Sequence, residues 1–155
     1  MTNALARAVV AISCFAVSAV ILACNSSGMK RPYGFMRLGT LEELSSSETY
    51  LPDQRLMVRR DANGFSVMST TCTFDLTPLT RSEQVDSITW RSSYTESEYA
   101  YNGEVKRGPT KHALPYYNIK IDAAVYGGVK DTLYAEVGTE RDETWRFDPT
   151  KVGGK

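Results

Sequence analysis

Few side chains in this chain could perform covalent or metal chemistry. The chain has 155 residues, with three cysteines and a single histidine, His112. Cys72 would act as a nucleophile only with a base such as His112 within hydrogen-bond reach in an open, polar setting, and no motif indicates this. Glu96 and Glu98 lie in a polar run, but hard cations need several converging oxygen ligands. We therefore expect no catalytic site and no metal site, and the chain is not expected to be an enzyme.

Charge and cysteine content argue against a nucleic-acid-binding protein and against a disulfide-stabilised domain. Eighteen Lys and Arg residues balance eighteen Asp and Glu residues, and no long basic run occurs, so no nucleic-acid-binding surface is indicated. The three cysteines are too few and too scattered for a disulfide framework, since Cys14 and Cys24 both belong to the N-terminal segment. Cys72 is therefore expected to be a buried, unpaired side chain.

Residues 99–122 contain the clearest signals of secondary structure. Residue pairs that contain Gly or Pro, which interrupt regular secondary structure, divide this stretch. The apolar residues that follow these breaker pairs alternate as in a strand. The signals are the Asn102-Gly103 turn, the Gly108-Pro109 and Leu114-Pro115 pairs, and the alternation of Tyr117, Ile119 and Ile121. They predict a hairpin that leads into a strand, which is typical of an all-β domain.

Further strands are predicted on both sides of this stretch. Thr40 and Glu43 have the spacing of a capping box, which predicts about one turn of helix after a first strand that ends at Gly39. The tetrapeptide Asp61-Ala62-Asn63-Gly64 predicts a hairpin turn. The remaining expected strands are residues 35–38, 55–60, 65–69, 86–91, 123–126, 132–137 and 144–147, and residues 92–98 are expected to form a solvated loop.

The order of these landmarks resembles the Rieske iron-sulfur fold over residues 34–122. Residues 63–73 (Asn-Gly-Phe-Ser-Val-Met-Ser-Thr-Thr-Cys-Thr) resemble the strand that enters the family's first cluster-binding loop, and Pro78-Leu79 resemble the exit from it. The breaker pairs after residue 101 resemble the segment that follows the second loop. The resemblance implies a Rieske-like antiparallel β domain over residues 33–150, with a smaller loop-bearing subdomain.

The ligands of the family are mostly missing. A Rieske centre is a 2Fe–2S cluster held by two Cys and two His, one pair from each loop. The first loop reads Cys-Thr-His-x-x-Cys in the family, and residues 72–77 here read Cys-Thr-Phe-Asp-Leu-Thr, so Cys72 is a remnant of the cluster loop. The second loop reads Cys-x-x-His, and residues 92–95 here read Ser-Ser-Tyr-Thr. Because the whole chain has one histidine, no shift of the alignment restores the ligands, and no cofactor is expected.

The substitutions imply how the loops pack without a cluster. Phe74 stands at the position of a ligand histidine and is expected to fill volume near the vacated site. The hydroxyls of Thr71, Thr73 and Thr77 are expected to satisfy backbone groups of the turn. Five tyrosines flank the region that faces a redox partner in the family, and both core packing and an interface remain open for them. They are Tyr94, Tyr99, Tyr101, Tyr116 and Tyr117.

The N-terminal segment predicts export and attachment to a membrane. Residues 8–23 are mostly apolar. Their last three residues and the cysteine that follows, Ile21-Leu22-Ala23-Cys24, resemble a bacterial lipobox with Cys24 as the lipidated residue. An apolar run of this length is marginal for spanning a hydrocarbon core of about 30 Å. The alternative is an uncleaved anchor helix, which many Rieske subunits of cytochrome bc complexes have. Residues 1–23 are thus a signal peptide or anchor, and residues 24–32 a polar tether.

These features predict a domain that is anchored to a membrane on its extracytoplasmic, periplasmic side. The resemblance implies an accessory or interaction subunit without its own cluster, whose partners are protein subunits of an electron-transfer complex. Two alternatives remain open. One is a functional Rieske-type 2Fe–2S electron carrier, and the other is a free-standing binding lipoprotein. Iron content distinguishes the electron carrier from the cluster-free accessory subunit. Co-purification with cytochromes or quinone-linked subunits distinguishes the accessory subunit from the free-standing lipoprotein.

Overall fold

The computed structural model describes residues 33–84, 87–121 and 131–152, and within them it confirms the prediction of an all-β domain. Two single turns of 3-10 helix, Pro52–Gln54 and Pro149–Lys151, accompany the strands. The strands are β1 (Gly34–Thr40), β2 (Glu48–Leu51), β3 (Leu56–Asp61), β4 (Gly64–Ser69), β5 (Leu79–Gln84), β6 (Ser87–Ser92), β7 (Glu98–Ala100), β8 (Val105–Arg107), β9 (Tyr116–Ile121) and β10 (Thr132–Arg141).

The strands form two antiparallel sheets. The larger sheet has the order β1-β10-β9-β4-β3-β2, and the smaller has the order β5-β6-β7-β8. In the larger sheet β4 and β9 pair only where Met68 lies opposite Tyr116, so this sheet consists of two three-stranded halves. After β10 the chain returns to β4, where Phe147 forms an isolated bridge with Phe65.

The β3–β4 hairpin is buried on both faces and separates two hydrophobic cores. Leu56 and Val58 belong to one core, whereas Met57 between them belongs to the other. This follows from the alternation of side chains along a strand. The first core joins the two halves of the larger sheet. The second core joins the hairpin to the smaller sheet and contains Met57, Met68, Cys72, Leu79, Trp90, Tyr99, Leu114 and Tyr116.

The structure confirms the strongest local signals. Glu43 Oε2 accepts a hydrogen bond from the Thr40 N–H at 2.8 Å, and Thr40 Oγ1 accepts one from the Glu43 N–H at 3.1 Å. This reciprocal pair is the predicted capping box, and it closes a single turn at residues 41–44. The hairpin around Asp61-Ala62-Asn63-Gly64 and the strand after Pro115 are present as predicted.

Other local predictions are incomplete or wrong. The sequence did not indicate β2 and β5, because these edge strands lack an alternation of apolar and polar residues. Residues 144–147 do not form a strand, since only Phe147 pairs, through its bridge with Phe65. The expected solvated loop is shorter than predicted: Glu98 begins β7, is buried, and pairs with Arg91 at 3.2 Å.

The predicted N-terminal features lie outside the described residues. These are the signal or anchor of residues 1–23, the tether of residues 24–32 and Cys24, and the predicted strand at residues 123–126 lies outside as well. Between residues 33 and 152, in the ranges described, no helix has the length and apolar character needed to cross a membrane.

Candidate functional site

Three loops meet at one end of the smaller sheet. Loop A (residues 70–78) joins β4 to β5, loop B (residues 93–97) joins β6 to β7, and loop C (residues 108–115) joins β8 to β9. Loops A and C meet through the hydroxyls of Thr73 and Thr110. Loop C also packs closely on loop B, since a Cβ atom on Gly108 would lie 2.5 Å from the Cα atom of Ser97.

The Asp75 carboxylate joins loop A to the start of loop B. Its Oδ1 atom accepts hydrogen bonds from the Thr77 N–H at 3.0 Å and the Thr77 hydroxyl at 2.7 Å. Its Oδ2 atom accepts one from the Ser92 hydroxyl at 3.0 Å. The Ser92 oxygen in turn accepts from the N–H groups of Tyr94 and Thr95. One carboxylate and one hydroxyl therefore organise the backbone of both loops.

This environment also sets the acidity of Asp75. Burial alone would raise the pKa of the carboxyl, but hydrogen bonds from Cys72, Thr77 and Ser92 outweigh burial. The pKa of Asp75 is therefore lowered from its ordinary value, because these donors favour the charged form. Asp75 is held as an anion between the two loops.

Tyr99 occupies the space between loop A and loop C. Its ring is fully buried, and its hydroxyl accepts a hydrogen bond from the Thr73 N–H at 2.9 Å. The same hydroxyl lies 3.5 Å from the Cys72 sulfur and 3.0 Å from the Thr110 hydroxyl. Burial has the largest effect on Tyr99 and raises its pKa, and the contact with Cys72 raises it further. The phenol is therefore a neutral group that bridges the two loops.

The side chains present do not fit a Rieske cluster. Cys72 is completely buried, and its thiol faces the Tyr99 hydroxyl and the Asp75 carboxylate. The His112 side chain is exposed, and this residue takes part only through its carbonyl oxygen, which accepts from the Thr73 hydroxyl at 2.8 Å. Across the described ranges no three His, Cys, Asp or Glu side chains are grouped closely enough to hold a metal ion. This donor set offers hydroxyls and a carboxylate where two thiolates and two imidazoles would be needed.

The packing predicted for loop A is partly wrong. Phe74 does not fill the interior, because 57% of it is exposed. Tyr99 and Thr110 lie beside Cys72 instead. The Thr73 hydroxyl donates to a backbone carbonyl of loop C and not to the turn of loop A, and the Thr77 hydroxyl donates to a carboxylate. The buried Thr71 hydroxyl has no hydrogen-bond partner among the described residues. The expectation of a buried, unpaired Cys72 is confirmed.

The five tyrosines divide between core and surface. Tyr99, Tyr116 and Tyr117 are buried, and Tyr101 is half-buried. Tyr94 is 77% exposed on loop B. We call this residue and the exposed Phe74 on loop A the aromatic tip. Each of these residues lies within two positions of the Asp75–Ser92 hydrogen bond, so both project from an ordered backbone.

Sequence reasoning missed Asp75 and Ser92 as the residues that join the loops. The spacing of Asp75 and Thr77 was an available signal, since an Asp side chain often accepts a hydrogen bond from the N–H two residues on. No local pattern links Asp75 to Ser92, because their contact exists only after β5 and β6 have paired.

Comparison with known proteins adds no family assignment. No protein-family model matches the sequence, and no curated protein is significantly similar to it. What these loops do has to be inferred from their own residues.

Asp75→Asn is expected to lower the free energy of unfolding by about 1 to 2 kcal/mol at pH 7, because the amide N–H₂ cannot accept from Ser92. Because the pKa of Asp75 is lower in the folded chain, the unfolded state binds more protons, and this stability is lost as the pH falls below about 4. Urea denaturation of both proteins between pH 7 and pH 3 measures the difference. Asp53→Asn, at an exposed carboxyl, is the matched control, and the same loss with the same pH dependence there would contradict the prediction.

Proposed function

We propose that this chain is a membrane-tethered, extracytoplasmic, Rieske-like domain that carries no iron-sulfur cluster and acts as an interaction subunit. Its partner is a membrane-bound protein of an electron-transfer complex, which it contacts through the aromatic tip. The observation that carries the proposal is the exposure of Phe74 and Tyr94 next to the Asp75–Ser92 hydrogen bond that joins the two loops.

The arrangement of loops A and B supports the Rieske-like part of the proposal. In that family each loop supplies one Cys and one His to the same cluster, so the two loops must lie against each other. Loop A follows the β3–β4 hairpin and contains Cys72, and its Asp75 contacts Ser92, the last residue of β6 before loop B. The sequence order of hairpin, first loop and second loop thus agrees with a spatial contact between the loops.

The hydrogen bonds of Asp75 and Tyr99 support the cluster-free part. A cluster would cross-link the two loops, and here the Asp75 carboxylate is fixed within loop A by Thr77 and joined to the start of loop B by Ser92. Tyr99 links loop A to loop C in the same region. Buried polar groups that satisfy one another hold a unique loop arrangement, so the shape of this end can persist without iron.

The aromatic tip supports a role in protein contacts. Large aromatic side chains dominate the energy of many interfaces, and their cost of binding is small when the backbone is already ordered. The predicted tether of residues 24–32 would extend at most about 30 Å from a lipidated Cys24. The domain would therefore remain near the membrane surface, where a membrane-bound partner can be reached.

The aromatic tip is tested by the double substitution Phe74→Ser and Tyr94→Ser in the tagged full-length chain. We expect at least a tenfold loss of the co-purified membrane partner, because each exposed aromatic residue at the centre of an interface contributes about 1 kcal/mol or more. Quantitative mass spectrometry of solubilised membranes from the producing cells measures the loss. Tyr33→Ser is the control, because Tyr33 is 88% exposed but lies just before β1, outside loops A, B and C.

The cluster-free part is tested by iron and acid-labile sulfide analysis, with a reduced-state EPR spectrum, on chain purified without oxygen. We expect no stoichiometric iron in a chain that still unfolds cooperatively. Stoichiometric iron with a Rieske-like signal would overturn this part of the proposal and favour an electron carrier. Unchanged capture by the tip variant would overturn the proposed contact surface.

A further inference from the structure

A cleft of about 380 Å³ lies away from the three loops, beside β2, β3 and the turn between β7 and β8. Its volume is within the range of small-molecule sites. We call it the Arg59 cleft. Its lining includes Glu48, Arg59, Tyr101, Asn102, Tyr116 and Glu143. The proposed contact at the aromatic tip does not involve these residues.

Arg59 is a half-buried cation whose direct hydrogen-bond partners are neutral groups. Its guanidinium carbon lies 3.7 Å from the centre of the Tyr101 ring. One terminal nitrogen donates to the Tyr116 hydroxyl at 3.0 Å, and the other donates to the Tyr101 carbonyl oxygen. Among the residues that the structure describes, no carboxylate lies within ion-pair distance of this guanidinium. Each terminal nitrogen keeps a second N–H group, so the positive charge and a pair of donors remain available.

The nearest carboxylates are engaged elsewhere. Burial would raise the pKa of Glu48, but hydrogen bonds from the Tyr101 hydroxyl and from Arg81 at 2.7 Å, together with the charges of Arg81 and Arg59, lower it. Asp61, on the same cleft wall, pairs with Arg146 at 2.6 Å. Glu48 thus compensates the charge of Arg59 only from beyond ion-pair distance. An anion in direct contact with the half-buried guanidinium would compensate that charge further.

The walls also limit the charge that a ligand can carry. Glu143 lies near the Tyr116 hydroxyl and accepts from Asn102 at 3.5 Å, so a third carboxylate faces the cleft beside Glu48 and Asp61. Arg60 and Arg146 line the cleft as well, so three arginines stand against three carboxylates, and Arg146 is already paired with Asp61. Each further negative charge on a ligand would add repulsion from the carboxylates, which favours a ligand with one charge. The half-buried ring of Tyr101 offers apolar surface to the rest of the ligand.

We propose that the Arg59 cleft binds a small organic monocarboxylate, with the carboxylate against the Arg59 guanidinium and the carbon frame against the Tyr101 ring. A guanidinium matches a carboxylate because its terminal N–H groups can donate in parallel to both oxygens. The stacking of Arg59 on Tyr101 fixes the plane of the guanidinium, so little side-chain entropy would be lost on binding.

The test is an NMR titration of the ¹⁵N-labelled full-length chain with benzoate, benzamide and inorganic phosphate. We expect saturable shifts at Tyr101 and Asn102 with benzoate, at least tenfold weaker binding of benzamide, which has the same shape without the charge, and no binding of phosphate at that site. Benzoate that causes no saturable shift there would overturn the proposal. So would benzamide or phosphate that binds as tightly as benzoate.

A variant pair assigns the charge to Arg59. Arg59→Gln is expected to weaken benzoate binding at least tenfold, whereas Arg37→Gln, at an exposed arginine of β1 that pairs with Glu43, is expected to leave it unchanged. Equal binding by both variants would overturn the proposal. If Arg59→Gln does not fold, the comparison of benzoate with benzamide on the unchanged protein still decides the question.

Discussion

Gly64→Ala is expected to lower the free energy of unfolding by about 3 to 4 kcal/mol, the sum of backbone strain and a steric clash. Gly64 has a φ of +128°, which residues with a side chain rarely adopt. An added Cβ would lie 2.2 Å from the Phe147 carbonyl oxygen. That oxygen is held in place because it accepts a hydrogen bond from the Phe65 N–H at 2.9 Å. The clash therefore separates the chain after β10 from the β3–β4 hairpin.

Gly34→Ala is the matched control for Gly64→Ala. Gly34 also has a positive φ, +98°, but its added Cβ would meet no atom within 4 Å. Backbone strain alone is expected to cost about 1 to 2 kcal/mol there. Urea denaturation of the full-length variants gives both values. Equal losses would show that the approach of Phe147 to Gly64 does not contribute to stability, contrary to the prediction.

Tyr99→Phe is expected to lower the free energy of unfolding by about 2 to 3 kcal/mol, although the ring and its packing are kept. The hydroxyl accepts from the Thr73 N–H at 2.9 Å and bonds to the hydroxyls of Thr73 and Thr110. Its removal leaves the Thr73 N–H without an acceptor in a place that water reaches poorly. Loops A and C would then separate more easily, and the aromatic tip would lose part of its ordered support.

Hydrogen exchange of the Thr73 amide measures this effect directly, together with the loss of stability in urea. We expect faster exchange in Tyr99→Phe than in the unchanged chain. Tyr94→Phe is the control, because it removes the hydroxyl of a tyrosine that is 77% exposed, and its effect is expected to stay within about 0.5 kcal/mol. Unchanged exchange at Thr73 would contradict the bridging role of Tyr99.

The parts of the fold that could be predicted have causes that are local in the sequence. The Thr40–Glu43 capping box forms because both partners lie within one turn of each other. The hairpin at Asp61-Ala62-Asn63-Gly64 forms because its turn residues suit a tight reversal between two apolar runs. The two edge strands β2 and β5 could not be predicted, because their pairing depends on neighbours that are already in a sheet.

The candidate site was less predictable than the fold, because its contacts join distant parts of the chain. The sequence indicated the position of loop A and the isolation of Cys72, and both are present. It did not indicate that Asp75 would bond to Ser92, or that Glu48 would bond to Arg81. Phe74 was predicted to be interior on the basis of volume alone. The space beside Cys72 is taken by Tyr99, which no count of local spacing brings to that place.

The two-sided burial of the β3–β4 hairpin has a consequence for strand register. In most half-buried hairpins a slip of one residue is prevented because it would expose the apolar face. Here Leu56, Met57 and Val58 are all buried and all apolar, so a slip would exchange apolar residues at two of these positions and bring Arg55 or Arg59 into the third. Within β3 the alternation of side chains therefore discriminates between alignments only at the end of this apolar run.

The turn must supply the missing specificity. The Asp61 carboxylate accepts from the Asn63 N–H at 2.8 Å and from Arg146 at 2.6 Å, which fixes the position of the reversal. A slipped alignment would also place a residue with a Cβ beside the Phe147 carbonyl, where only glycine fits. The alignment of two buried strands is thus encoded in a few residues at their end, and substitutions there would produce misaligned chains and not merely less stable ones.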